Sequence, residues 1–294
     1  MLDIYYSNSD TAIQYEHNRT NNYAADFHLH NRFEIYFFIT GSVNYFIEKN
    51  IYPLKYGDLF VMNSHEIHKP SFLNNQTYER ITLHFDPAIP QLFNTGSFNL
   101  LNCFLNRPIG EQNKINLSPE QINDVLRIFQ KLESLKNGSS ESLKILKLSY
   151  FIELLVFLNN AFMNSHLMED HSNIPEKLIP ILDYINKNLE GDLSLEFLEK
   201  RFYINGSYLS RLFKKSTGST IHEYIIYKRI SKAKKLLAEG FSATESAFMC
   251  GFNDFSNFSR LFKRTVGVSL RQYKTEAKNS FSPIVNTTWF DQPT

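Results

Sequence analysis

The 294-residue chain has only 2 cysteines, Cys103 and Cys250, too few for a disulfide framework, so a reducing cytoplasm is the expected setting. Its formal charge is only +1, from 31 basic and 30 acidic side chains, so the mean charge says nothing about partners. The most apolar stretch, Phe151 to Met163, carries Glu153, Asn159 and Asn160 and falls short of the ~20 residues that cross a bilayer. Met1-Leu2-Asp3-Ile4 lacks the basic segment and apolar run of a secretory signal, so none is expected. What is present is ordinary for packed domains: 43% hydrophobic and 21% charged residues, over a length that suits two domains and excludes whole-chain disorder.

The near-neutral total hides a split. Residues 1–173 hold 13 basic and 18 acidic side chains, net −5, whereas residues 174–278 hold 18 and 11, net +7. The C-terminal third is thus basic enough to seek a polyanion, although a solvated basic face has the same composition.

The patterning changes along with the charge. Phe33 to Ile39, Val43 to Glu48, Leu59 to Met62 and Ile81 to Phe85 are short apolar or alternating runs separated by turns such as Gly41-Ser42 and Gly57-Asp58, which predicts a β sandwich or barrel. From Ser118-Pro119-Glu120-Gln121 onward the pattern is helical, with one helix to about Lys136, stopping at Asn137-Gly138, and a second over roughly Ser140 to Met163. Leu143, Leu146, Ile152, Leu155 and Leu158 are expected to form the apolar face of the second helix. Such a hairpin either covers the sheet or also pairs subunits.

An internal repeat dominates the rest. Ser207-Tyr208-Leu209-Ser210-Arg211-Leu212-Phe213-Lys214-Lys215-Ser216-Thr217-Gly218 recurs 49 positions later as Ser256-Asn257-Phe258-Ser259-Arg260-Leu261-Phe262-Lys263-Arg264-Thr265-Val266-Gly267. Each copy predicts a helix that closes a helix–turn–helix unit. Leu209, Leu212 and Phe213 form one face, as do Phe258, Leu261 and Phe262. The opposite faces carry Ser207, Ser210, Arg211, Lys214 and Lys215, and Ser256, Asn257, Arg260, Lys263 and Arg264. An arginine on such a helix can grip guanine O6 and N7, small polar side chains allow close approach, and lysines at the far end suit phosphates.

Residues 174–277, with Gly251-Phe252-Asn253-Asp254 before the second copy, resemble the double helix–turn–helix domain of AraC/XylS-type transcription regulators. The resemblance implies two units joined by a linker helix over about Thr220 to Glu239, entering successive major grooves of promoter DNA. It places base-facing positions at Ser207, Ser210 and Arg211 and at Ser256, Asn257 and Arg260. Leu270 stands where this family usually has proline, and Ser246-Ala247 where it usually has an Ile-Ala pair, departures that concern packing.

Six of the nine histidines precede residue 85. His28, His30 and Glu34 fall on one face if the segment is a single strand, and His68 could close a three-histidine, one-carboxylate set suited to zinc, manganese or iron. The spacing His28-x-His30-x3-Glu34-x6-Gly41 resembles a cupin motif, although Asn63 and His65 depart from the second motif. Three readings stay open: the histidines line an effector pocket, hold a divalent metal, or are structural. Tyr36, Phe37, Tyr45 and His84 are further candidates for that pocket, with core packing the safer assignment.

The expected whole is an α+β multidomain protein. It has an N-terminal cupin-like β-barrel with a helical hairpin and a C-terminal all-α double helix–turn–helix domain. The expected boundaries are 1–117 for sensing, 118–163 for the hairpin, 164–173 for a linker, 174–278 for DNA binding and 279–294 for a tail. The resemblance implies a cytoplasmic, non-enzymatic regulator needing no cofactor. It would be a homodimer with a small-molecule effector, often a sugar in this family, and with RNA polymerase as a partner if it activates. The alternative is a metal-dependent cupin enzyme with an attached helical domain.

Overall fold

The computed structural model describes residues 4–5, 13–21, 27, 29, 31–135, 140–165 and 174–280. The strands are β1 (Ile4–Tyr5), β2 (Ile13–Thr20), β3 (Phe33–Thr40), β4 (Val43–Ile47), β5 (Asn50–Pro53), β6 (Leu59–Met62), β7 (His68–Phe72), β8 (Tyr78–Phe85) and β9 (Lys114–Ile115). They form two sheets, ordered β1-β2-β8-β3-β6-β9 and β5-β4-β7. Short helices α1 (Ala88–Gln91) and α2 (Asn102–Leu105) follow β8, then α3 (Pro119–Ser134) and α4 (Glu141–Ser165). The remainder is helical: α5 (Ile179–Lys187), α6 (Leu195–Phe202), α7 (Gly206–Thr217), α8 (Ile221–Ala238), α9 (Ala243–Met249), α10 (Phe255–Val266) and α11 (Leu270–Ser280).

Strand β3 explains how the first half is layered. Its residues are buried on both faces as far as Phe38, because successive side chains alternate between two cores. Phe33, Ile35 and Phe37 join Leu59, Val61, Leu83 and Phe85 beneath α3 and α4. Tyr36 and Phe38 join Tyr45, Tyr52, Phe60 and Tyr78 in the space between the sheets. The third core is helical and belongs mainly to the second half, yet it includes Phe27, Leu29, Phe46, Ile51 and Ile67 from the first. The outer face of the small sheet is therefore covered by the helical half.

Strand β3 begins only at Phe33, and Phe27 and Leu29 before it lie outside any strand and pack in the interdomain core. His28 and His30 themselves lie outside the described residues, as do the stop at Asn137-Gly138, residues 166–173 of the expected linker and residues 281–294 of the tail. The apolar face expected of α4 is met in part: Leu155 and Leu158 are buried and Leu143 and Ile152 half-buried, but Leu146 is exposed. Phe151, Leu154, Ala161 and Phe162 are buried as well. The helix is apolar on nearly every side, so periodicity alone could not single out the packed side. By length and composition α4 could cross a membrane, but 44% of its most apolar window is buried within the protein. Asn159, which breaks its apolar run, is buried and ties it to the α2 region: its amide donates to Leu100 O at 2.7 Å and its carbonyl accepts from Cys103 N at 2.9 Å.

Ser246 occupies a fully buried site on α9, and its hydroxyl has no hydrogen-bond partner among the described residues. A buried, unsatisfied hydroxyl costs roughly 1–3 kcal/mol. Ser246→Ala is therefore expected to stabilise the protein by about 1 kcal/mol, seen as a higher urea midpoint with unchanged slope. A lower midpoint would show that Ser246 makes a bond worth keeping.

Candidate functional site

The two repeat helices are built alike from local signals. Helix α7 is capped by Asn205, whose side chain accepts from Tyr208 N at 3.0 Å, and it ends at Gly218 with φ 73°. Helix α10 is capped by Asp254, which accepts from Ser256 N at 2.8 Å and Asn257 N at 3.2 Å, and it ends at Gly267 with φ 85°. The left-handed C-terminal residue explains glycine at both ends of the repeat. The preceding helices α6 and α9 are capped by Ser194 and Ser242. Helix α8 opens with a capping box, Thr220 with Glu223.

Burial separates the two faces of each repeat helix. Leu209 and Phe213, like Phe258 and Phe262, are fully buried. Ser207, Arg211, Lys214, Lys215, Ser256, Asn257, Arg260, Lys263 and Arg264 are exposed, and Ser210 is half-buried. Among the described residues none of these six cations lies within ion-pair distance of a carboxylate, whereas Lys200 and Lys232 nearby are paired with Glu196 and Glu190. The repeat thus presents two helix faces of uncompensated positive charge with small polar side chains at their N-terminal ends.

The space between the sheets holds the second candidate site. Register places Glu34 opposite His84, Tyr36 opposite Thr82 and Phe38 opposite Arg80. One oxygen of Glu34 meets His84 Nε2 at 3.1 Å and His68 Nε2 at 2.9 Å. The other ring nitrogen of His68 lies 3.0 Å from the Glu66 carbonyl. Burial opposes charge on His68, but Glu34 outweighs it and holds the imidazole's pKa above the ordinary range. Deeper along the same face, Tyr36 and Tyr78 share a 2.7 Å hydroxyl contact, with Arg80 5.0 Å above the Tyr78 ring. Burial raises all three tyrosines, Tyr36 and Tyr45 well above 10 and Tyr78 to about 12.

The structure brings Glu34 and His68 together and adds His84, which the sequence suggested chiefly as a core residue. The signal for His84 was its alternation with Leu83 and Phe85, which puts it on the polar side of β8 with Thr82. Among the described residues no three His, Cys, Asp or Glu side chains form a group able to hold a metal ion. Two of the four expected ligands, His28 and His30, lie outside the described residues.

Sequence reasoning also missed the contacts between the halves. Lys69 Nζ donates to Gly218 O at 2.9 Å and to Ser219 Oγ at 2.5 Å. Lys228 pairs with Glu48. Ser231 Oγ donates to His65 O at 2.8 Å, and Lys234 Nζ to Ser64 O at 2.6 Å. Burial pulls Lys234 down to about 7, and burial together with Lys234, Lys235 and Lys228 pulls His65 down to about 4. Polar residues at helical spacing on one side of α8 were the available signal.

Comparison with known proteins agrees with both halves. The family model described as an AraC-like ligand binding domain matches residues 11–150, and one described as a helix-turn-helix domain matches residues 198–276. The chain belongs to the AraC family. Relatives of this AraC-family protein include the HTH-type transcriptional activator RhaS of Escherichia fergusonii, 30% identical over 154 residues that cover 52% of this chain and 54% of that protein. The Msm operon regulatory protein of Streptococcus mutans is 29% identical over 138 residues, 47% of this chain and 50% of that protein. The chain thus spans about half the length of the curated relatives it matches. Among solved structures, ToxT from Vibrio cholerae O395 is 15% identical, and the match covers 90% of this chain and 97% of that one at a TM-score of 0.35.

Proposed function

We propose that this AraC-family protein is a cytoplasmic, sequence-specific transcription regulator whose two recognition helices, α7 and α10, enter successive major grooves of promoter DNA. The observation that carries the reading is the pair of exposed, unpaired basic faces on helices repeated 49 residues apart. Arg211 and Arg260 read guanine, while Ser207, Ser210, Ser256 and Asn257 contact base edges or nearby phosphates. Lys214, Lys215, Lys263 and Arg264 hold phosphates.

In this reading residues 1–117 sense a small effector, with Glu34, His68 and His84 as polar contacts and a carbohydrate as the expected class. No cofactor is required. Residues 118–163 pair two subunits through the outer side of α4, where Ile145 is 68%, Val156 37% and Met163 58% exposed. Residues 164–173 link to the DNA-binding unit 174–278, and 279–294 form a tail. RNA polymerase is the further partner if the protein activates. The relatives are named as regulators, so the cupin-enzyme alternative is not favoured.

Binding of the full-length protein to promoter fragments, followed by anisotropy across a salt series, tests the reading. The logarithm of the affinity should fall linearly with the logarithm of salt. Lys263→Ala should weaken all sequences alike and reduce that slope by about one. A salt-independent affinity would remove the phosphate contacts on which the proposal depends.

A further inference from the structure

Helix α8 joins the two recognition units, and one side of it is pressed against the first half. Tyr224 packs on Phe27 and Phe46, with ring centroids 6.3 and 6.0 Å apart. Further along, Ser231 and Lys234 bond the carbonyls of His65 and Ser64. Those two carbonyls belong to one tight turn, Asn63 to Glu66, between β6 and β7.

The turn is held firmly from within. Asn63 Oδ1 accepts from His65 N at 2.9 Å, and Glu66 Oε2 accepts from Asn63 N at 2.9 Å. The Glu66 carboxylate is itself fixed by Arg107 at 2.6 and 2.7 Å and by Gly110 N at 2.7 Å. On its far side the turn continues into β7, where the His68 ring bridges the Glu66 carbonyl at 3.0 Å and the Glu34 carboxylate at 2.9 Å. An unbroken series of contacts therefore runs from the compartment between the sheets to the helix that carries both recognition units.

We infer that the Asn63–Glu66 turn is the coupling element of this regulator: the state of the Glu34–His68 pair sets whether the Ser64 and His65 carbonyls are presented to α8. This rests on the proposed function, because it assigns Glu34 and His68 to the effector compartment and α8 to the DNA readers. A turn so fully bonded does not absorb a displacement of His68 by flexing, so it passes the displacement on. The receiving end favours two states over a gradual response. Lys234 is wholly buried and its Nζ bonds Ser64 O at 2.6 Å, so loss of that carbonyl removes a hydrogen bond where no bulk water replaces it and disfavours the docked arrangement. Docking of α8 with both bonds made, or release with both exchanged for water, are the two arrangements.

A double-mutant cycle on the full chain, without DNA and without an effector, tests this. Amide hydrogen exchange over residues 224–237 is measured for Glu34→Gln, for Ser231→Ala/Lys234→Met, and for the combination. Glu34→Gln alone is expected to speed exchange in that segment about tenfold, and to change it by less than about twofold once Ser231 and Lys234 are replaced. His68→Gln, judged the same way, serves if Glu34→Gln fails to fold. Equal acceleration in both backgrounds, no acceleration, or equal acceleration in the α4 core at residues 151–162 overturns the proposal. Because DNA is absent, failure here leaves the DNA-binding reading intact, and a failed promoter-binding assay leaves this cycle interpretable.

Discussion

Arg107→Ala is expected to destabilise the protein by about 3–5 kcal/mol, enough to threaten folding of a domain with ordinary stability. The Arg107 and Glu66 side chains are completely buried and bond bidentately. The guanidinium also donates to Cys103 O, Glu111 O and Val61 O, at 2.9, 3.0 and 2.9 Å. Removing it leaves a carboxylate with no countercharge in a buried site and takes a donor from each of three carbonyls, of which Val61 O keeps the Asn113 amide at 2.9 Å. Glu66→Gln combined with Arg107→Met should recover much of the loss, because it removes the charge as well as its partner. If Arg107→Ala alone moved the urea midpoint no further than a surface substitution, the pair would be unimportant to the fold.

The pH dependence gives the same pair a second test. Burial raises the pKa of Glu66, but Arg107 outweighs it, so the folded value lies below the ordinary 4.5. A depressed carboxylate contributes stability that is present above the unfolded pKa and lost as pH falls through the folded one. In Arg107→Ala burial acts with less opposition, Glu66 moves upward, and acid favours the folded mutant by protonating it. The deficit of Arg107→Ala should therefore be largest near neutrality and shrink as pH is lowered below about 5. A deficit independent of pH would place the damage in packing rather than in charge.

How much was legible in the sequence follows from how local each signal is. Helices α7 and α10 were legible because caps, apolar spacing and a terminal glycine all lie within one segment and then recur. The alternation of β3 was legible for the same reason. The pairing of His84 with Glu34 was not legible, since the two lie 50 residues apart and only the register of β3 on β8 joins them. The contacts of Ser231 and Lys234 were hidden more deeply. Their partners are main-chain carbonyls more than 160 residues distant, which no side-chain pattern marks. Period-two spacing says nothing about where a strand begins, so that β3 starts at Phe33 and not earlier was not legible either.

Arg211→Ala and Arg260→Ala together are expected to weaken binding to the selected promoter site by on the order of 10²- to 10⁴-fold, and to leave little preference over random DNA. Each bidentate arginine–guanine contact is worth about 1–3 kcal/mol of discrimination. The two sit on separate helices, 49 residues apart, with no shared partner among the described residues, so their losses should nearly add. Arg211→Lys and Arg260→Lys keep the charge but not the planar fork, and should lose discrimination while keeping the salt slope. That contrast separates base reading from phosphate contact, since Lys263→Ala is expected to do the reverse. The measurement is binding to the site, to the site with each guanine replaced in turn, and to random duplex. Arg211→Ala should erase the penalty for one replaced guanine only, and Arg260→Ala the penalty for another about one helical turn, ~10 base pairs, away. If both variants erased the same penalty, or neither did, the two helices would not be reading separate grooves.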